Sequence, residues 1–146
     1  MSDRMVHRLR EVQNECLTIR SALRHAQRTW PQHERSPDWE GRTIHQIRLA
    51  LDRLEATFVI RLFSEFEGVL REYWAKDGRD PEEHRVGYLI DQIGLSHMDA
   101  KHRERVHEVQ RCRNDLAHGS ASRAVVVPFN EALKRLAKYL DRLPDR

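Results

Sequence analysis

The hydrophobic residues of this chain recur at helical spacing from its start. Over residues 1–30 they are separated alternately by four and three positions, the heptad pattern of a helix packed along one side. The members of this stripe are Met5, Leu9, Val12, Cys16, Ile19, Leu23, Ala26 and Trp30. We expect the stripe to pack inside a helical bundle, and packing against a partner chain is the alternative. Two prolines and a glycine in residues 31–42 then interrupt the pattern and predict a loop.

The longest predicted helix runs from Thr43 to about Lys76. Thr43 and Gln46 have the spacing of a capping box, in which each side chain bonds the backbone N–H of the other residue. The hydrophobic positions that follow form a broad face, and they are Ile47, Leu51, Leu54, Phe58, Val59, Leu62, Phe63, Phe66, Val69, Leu70, Tyr73 and Trp74. So broad a face predicts a central helix that other helices contact on several sides.

Two shorter helices are predicted next along the chain. Asp80 and Pro81 suit the start of the first one, and Gly94 suits its end. Ser96 and Asp99 have the spacing of another capping box, which predicts the start of the second. That second helix continues as far as Gly119, a residue type that adopts the left-handed conformation of a helix C-terminus without strain.

After a loop at residues 120–124 and an extended segment at 125–127, a last helix is predicted over residues 129–143, because its hydrophobic residues keep helical spacing until Pro144. The expected fold is all-α: one domain over residues 1–146, a bundle of about five helices with almost no strand.

Composition limits the class of protein further. A chain of 146 residues buries enough surface to fold as one domain without disulfides. Cys16 and Cys112 lie on hydrophobic faces, as buried free thiols of a reducing compartment do. The net charge of +3 permits RNA binding, and 22 of the 26 basic residues are arginine, although a GC-rich genome gives the same bias. No hydrophobic run approaches a membrane span, so we expect a cytoplasmic protein without a membrane partner.

The residues best suited to binding or catalysis are clustered at positions 111–119, which read Arg-Cys-Arg-Asn-Asp-Leu-Ala-His-Gly. His118 is placed at a helix C-terminus, where unpaired carbonyls favour the imidazolium form. Arg113 lies about 60° around the helix from Leu116, at the margin of the hydrophobic stripe, where a guanidinium needs an anion. Glu67 is the first candidate for its partner, whereas Glu65 is expected to face water.

An arginine followed by histidine five residues later occurs four times in the chain. Requiring Asn, Asp or His directly after the arginine leaves two pairs, Arg79/His84 and Arg113/His118. The first contains a glycine and a proline and therefore belongs to a turn. Only Arg113 and His118 are placed on a continuous helix.

This motif resembles that of the HEPN domains found in prokaryotic toxins, defence proteins and RNA-processing factors. Arg113, Asn114 and His118 match the family pattern of an arginine, a polar residue and a histidine near the end of a late helix. The resemblance covers roughly residues 43–143, and residues 63–70 resemble the polar stretch of the family's longer, earlier helix. It implies a homodimer whose paired motif helices form one composite cleft for RNA.

The resemblance also implies a metal-independent endoribonuclease, without cofactor, in a toxin or phage-defence setting. His118 would act as general acid or base and Arg113 would bind phosphate, so that cleavage leaves a 2′,3′-cyclic phosphate. Asn114 would orient the imidazole or the RNA, and Glu67, Arg111 and Asp115 would support the site. Arg111 shares a helix face with His118 and is a rival to Arg113, which lies about 140° away from the histidine.

Other functions stay open. The pairs Glu104/His107 and Asp99/His102 have the spacing of a di-iron site, but both lie on one helix, which argues against a metal. A non-catalytic RNA- or nucleotide-binding module, or a protein-interaction module, explains the hydrophobic stripes equally well. Some HEPN toxins have a tyrosine two residues after the histidine, where an antitoxin modifies them. Ser120 occupies that position here, which leaves an antitoxin or companion protein unidentified.

Overall fold

The structure is a computed structural model that describes residues 2–33, 41–119 and 127–144. These ranges contain six helices and no strand. The helices are α1 (Ser2–Arg28), α2 (Trp30–His33), α3 (Ile44–Ala75), α4 (Val86–Gly94), α5 (Ala100–Ala117) and α6 (Phe129–Leu140). The all-α prediction is confirmed. None of these helices is both long and apolar enough to cross a membrane.

The expected number of about five helices is one too low, because the short helix α2 follows α1 directly. It lies in the segment that was predicted to be a loop. Pro31 occupies its first turn, where a residue without an N–H loses no hydrogen bond. Residues 34–40 and 120–126 lie outside the described residues. They include parts of both predicted loops, Ser120 and most of the predicted extended segment.

Helix α3 is the centre of the bundle and packs against α1, α4, α5 and α6. Its predicted capping box is present: the Thr43 hydroxyl accepts from the Gln46 N–H, and the Gln46 amide oxygen accepts from the Thr43 N–H. The broad hydrophobic face is buried except for the partly buried Leu51, and Phe63, Phe66 and Leu62 are completely enclosed. The prediction of a central helix is therefore confirmed.

The hydrophobic stripe of residues 5–30 packs against other helices of the bundle at both ends but not in the middle. Its first half, as far as Cys16, joins the main core, whereas Ala26 and Trp30 form a smaller cluster with Ile47. Between these two clusters Ile19 is 42% exposed. The expected packing within the bundle is confirmed at both ends of the stripe, and Ile19 lies outside the two clusters.

Two predicted helix starts are wrong for local reasons. Helix α4 begins at Val86 instead of Pro81, because the carbonyls of Pro81 and His84 accept from the Arg71 guanidinium and the intervening residues form turns. Helix α5 is capped by Asp99 instead of Ser96: the Asp99 carboxylate accepts from the His102 N–H at 2.8 Å.

The start of α6 is held by a residue distant in sequence. Its first N–H, that of Phe129, donates to Glu55 Oε1 at 2.9 Å across to α3. The helix ends at Leu140, three residues earlier than predicted. A turn with a hydrogen bond from the Leu143 N–H to the Leu140 carbonyl buries Leu143 without continuing the helix.

Candidate functional site

The motif lies on the last turns of α5, as predicted. His118 is the C-cap residue, and its backbone N–H donates to the Asn114 carbonyl at 3.0 Å. Gly119 follows with φ of +70°, the left-handed conformation expected at a helix end. The His118 side chain is exposed. It therefore lies beside the unpaired carbonyls of α5, accessible to a molecule in solution.

Arg113 points toward α3, and its guanidinium is surrounded by two groups of that helix and by the neighbouring Asn114. Glu67 Oε2 lies 3.6 Å from its Nη2, and Asn114 Oδ1 accepts from its Nη1 at 2.9 Å. The guanidinium carbon lies 5.6 Å from the centre of the Phe63 ring. The predicted ion pair between Arg113 and Glu67 is thus confirmed, and the short amide contact fixes the plane of the guanidinium.

The arginine site is partly enclosed. The Arg113 and Glu67 side chains are 29% and 22% exposed, and Arg113 Nε is buried without a hydrogen-bond partner among the described residues. A buried donor of this kind is uncommon, because leaving it unpaired costs about 1–3 kcal/mol. The guanidinium keeps donor capacity beyond its contacts to Glu67 and Asn114.

Arg71 is part of this network and was not identified from the sequence. Its Nη2 and Nε donate to Glu67 Oε1 at 2.7 and 3.2 Å, so Glu67 receives two guanidinium groups, one on each carboxylate oxygen. Nη1 of Arg71 also reaches the carbonyl oxygens of Pro81 and His84. The four-residue spacing of Glu67 and Arg71 on one helix was the available signal.

The predicted site residues fall into two groups in this structure. Glu67, Arg113 and Asn114 contact one another, whereas His118 and Arg111 lie on exposed surface. Within the described part of the chain, no hydrogen bond joins the His118 ring to Arg113. Arg111 instead donates to Glu104 at 2.7 Å.

Asp115, the remaining predicted supporting residue, is partly buried between the exposed and enclosed faces of α5. Glu65 does not simply face water as expected. Its carboxylate accepts from Arg8 Nη2 at 3.0 Å and Nε at 3.3 Å. The expectation failed because Arg8 comes from α1, whose rotation relative to α3 is a tertiary property.

Of the two pairs considered for a metal, Glu104/His107 is divided between other partners, whereas His102 contacts Asp99, the other member of its own pair. His107 Nε2 lies 3.0 Å from Asp91, and His102 Nδ1 lies 2.8 Å from Asp99. Glu104 accepts from Arg111. Across residues 2–33, 41–119 and 127–144, no group of three or more His, Cys, Asp or Glu side chains is arranged to hold a metal ion.

The site thus combines an oriented arginine on the inner side of α5 with an exposed histidine at the end of the same helix. These are groups that can bind a phosphate and transfer a proton. No family model, curated protein or solved structure matches the chain significantly.

Proposed function

We propose that this chain is a HEPN-like, metal-independent endoribonuclease that acts as a homodimer. The observation that carries the proposal is the oriented, partly enclosed Arg113 with Asn114, one helical turn before an exposed His118. This is the order of residue types in the HEPN motif, presented on one rigid helix. The proposal includes a cytoplasmic role for this ribonuclease, either as a toxin or in phage defence.

In this mechanism Arg113 binds the phosphate that is cleaved. Glu67 and Asn114 hold the guanidinium in place, so its planar fork needs little reorganisation to bind two phosphate oxygens. The 3.6 Å separation from Glu67 is longer than a direct hydrogen bond, so Nη2 keeps capacity for a substrate oxygen. Arg71 supports the arrangement by holding the opposite oxygen of Glu67.

His118 supplies the proton transfer. As general base it removes the proton of a ribose 2′-hydroxyl, whose oxygen attacks the adjacent phosphorus. The bond to the 5′-oxygen breaks, and that oxygen takes a proton from a general acid. The products are a 2′,3′-cyclic phosphate and a 5′-hydroxyl end. A two-fold dimer would provide two copies of His118, one for each proton, and would bring the histidine of one chain toward the arginine of the other.

The alternative function is a non-catalytic module that binds RNA, nucleotide or protein. One observation favours it: Glu67 neutralises Arg113 within the same chain, and the His118 ring has no hydrogen bond to that arginine. If Arg113 only holds α5 against α3, RNA, nucleotide or protein would bind at another surface of the chain.

Cleavage of a mixed RNA pool by purified protein in excess EDTA tests the proposal. Cyclic-phosphate ends are expected from the wild type, and His118→Ala is expected to lower the rate by about 100-fold or more. Arg113→Ala should have an effect of similar size, while the exposed Arg53→Gln on α3 serves as a charge-matched control. Uncut RNA, or equal cutting by all variants, would favour the binding module.

A mixing experiment tests the composite cleft. The Arg113→Ala and His118→Ala dimers are each expected to cleave RNA at least about 100-fold more slowly than the wild type. Exchange of subunits creates dimers in which one chain supplies arginine and the other supplies histidine. A mixed dimer keeps one His118 in place of two, so only partial recovery of cleavage is expected on mixing if arginine and histidine act across the interface. The absence of recovery, with subunit exchange verified by mass spectrometry, would contradict a shared site.

A further inference from the structure

A second positively charged region lies between α5 and α6, near the N-terminal end of α5. This α5–α6 groove has a volume of about 120 Å³ and is lined by His102, Arg105, Glu131, Lys134, Arg135 and Lys138. Four cationic side chains therefore face a single carboxylate. Arg105 lies eight residues before Arg113, about 12 Å along the helix axis. The groove is thus separate from the candidate ribonuclease site.

Only one of the four cations is neutralised within the groove. Arg135 donates to Glu131 at 2.8 Å and to Glu108 at 2.5 Å. Arg105, Lys134 and Lys138 form no ion pair within 4.0 Å with a described residue. Their side chains are thus available to a ligand.

The positive charge of the groove acts on its carboxylate. The hydrogen bond from Arg135 lowers the pKa of Glu131, and the positive charges of Arg135, Lys134 and Arg105 lower it further. Cations from both helices therefore converge on one point, where they repel one another when no anion is bound. A bound anion would relieve that repulsion.

His102 adds an oriented ring nitrogen. Its Nδ1 lies 2.8 and 2.9 Å from the two oxygens of Asp99, the residue that also caps the helix. Its Nε2 is enclosed and has no hydrogen-bond partner among the described residues. The contact with Asp99 fixes the orientation of the ring, and Nε2 is a donor whenever it carries a hydrogen.

We propose that the α5–α6 groove binds a phosphomonoester group through Arg105, Lys134, Lys138 and His102. The three unneutralised cations exceed the two negative charges of a dianionic phosphate, and they offer an arginine fork for two oxygens and lysines for the others. The volume equals about four water molecules, which suits one phosphate group. No Phe, Tyr or Trp lines the groove to stack on a base. The phosphate can be a small metabolite or the end of a nucleic acid.

Isothermal titration calorimetry on the full-length protein tests this site, with inorganic phosphate as the first probe. The double variant Lys134→Gln/Lys138→Gln is expected to weaken phosphate binding by about tenfold or more. His102→Gln is expected to weaken it as well. The control Arg10→Gln/Arg53→Gln removes the same charge from exposed positions on α1 and α3 and should bind phosphate like the wild type.

A second set of titrations identifies the source of the phosphate. The probes are 2′-O-methyl oligonucleotides with and without a 5′-phosphate, which lack the hydroxyl required for cleavage. Tighter binding of the phosphorylated form, lost in the double variant, assigns the site to nucleic-acid ends. Binding of inorganic phosphate alone, also lost in that variant, assigns it to small phosphorylated molecules. No phosphate binding by the wild type, or equal losses in variant and control, would overturn the proposal whatever the cleavage assay shows.

Discussion

Glu67 on α3 and Arg113 on α5 form an ion pair in which the carboxylate oxygen lies 3.6 Å from the guanidinium nitrogen. The pair joins the central helix to the motif helix, and Arg71 occupies the other oxygen of the same carboxylate. Glu67 therefore sets the position of Arg113, and its single negative charge is shared between two guanidinium groups. Removing it would leave both guanidinium groups partly buried with less compensation.

We expect Glu67→Gln to lower the free energy of unfolding by about 1–3 kcal/mol, because a partly buried charged hydrogen bond is lost. A double-mutant cycle with Arg113→Gln should give a coupling energy of about 1 kcal/mol, reduced from the value for a buried pair by the partial exposure. Urea unfolding of the wild type, the two single variants and the double variant measures this coupling energy.

The exposed pair of Glu104 and Arg111 is the matched control for that cycle. Both of its side chains are more than half exposed, at 58% and 59%, although their atoms approach to 2.7 Å. Solvent screening should reduce its coupling to about 0.5 kcal/mol or less. A coupling for Glu67 and Arg113 no larger than this would show that burial does not strengthen the interhelical pair.

Gly119→Ala should destabilise the protein by about 1 kcal/mol, because a side chain at φ of +70° is strained. Gly119→Asn should be milder, since asparagine tolerates this conformation. Gly78 has nearly the same φ, +72°, and neither glycine has an atom within 4 Å of an added Cβ.

Gly78→Ala therefore serves as the control for the effect of Gly119 on the site. Thermal unfolding should show similar losses for the two alanine variants. If the proposed function holds, only Gly119→Ala should also slow RNA cleavage, because it displaces the adjacent His118. Equal cleavage by both variants would contradict a role of the helix end in positioning the histidine.

Gly94→Ala and Gly87→Ala on the short helix α4 should have opposite effects. A Cβ at Gly94 would lie 2.9 Å from Arg103 Cδ and 3.1 Å from the Tyr139 hydroxyl, so overpacking should destabilise by about 1–3 kcal/mol. At Gly87 the nearest atom would be Gln110 Oε1 at 3.5 Å, an ordinary contact. There the higher helix propensity of alanine should stabilise by about 0.5–1 kcal/mol. Chemical denaturation measures both, and the same sign for the two changes would refute the packing argument.

Tyr139 should make the free energy of unfolding decrease as the pH becomes alkaline. Its buried hydroxyl donates to the Ile90 carbonyl at 2.7 Å, and burial raises the pKa of the phenol well above its usual value. The folded protein therefore keeps a proton that the unfolded chain releases near pH 10. The contribution of Tyr139 is complete below about pH 10 and decreases as the pH rises above it.

Tyr139→Phe should lower the free energy of unfolding by about 1 kcal/mol at pH 7, through loss of the hydrogen bond. The difference between wild type and variant should then shrink between about pH 10 and 11, because only the wild type has this phenol. Urea unfolding at a series of pH values measures the difference. A constant difference over the whole range would mean that the hydroxyl ionises equally in both states.

Local features of this protein follow from the order of residues. The heptad spacing of α1, the capping box of Thr43 and Gln46 and the glycine at the end of α5 depend on neighbours within about one or two helical turns. Covalent geometry places such neighbours together in any helix, so their roles were predictable. The position of His118 as C-cap residue belongs to the same class.

Contacts between helices required the tertiary structure. Glu67 was predicted for Arg113, but nothing local indicated that Glu65 would pair with Arg8, or that Arg71 would take the carbonyls that delay the start of α4. Ile19 is exposed because the two hydrophobic clusters cover only the ends of α1. Such contacts depend on how each helix is rotated and shifted against the next. One sequence pattern is compatible with many such arrangements, because each packing contact contributes little free energy.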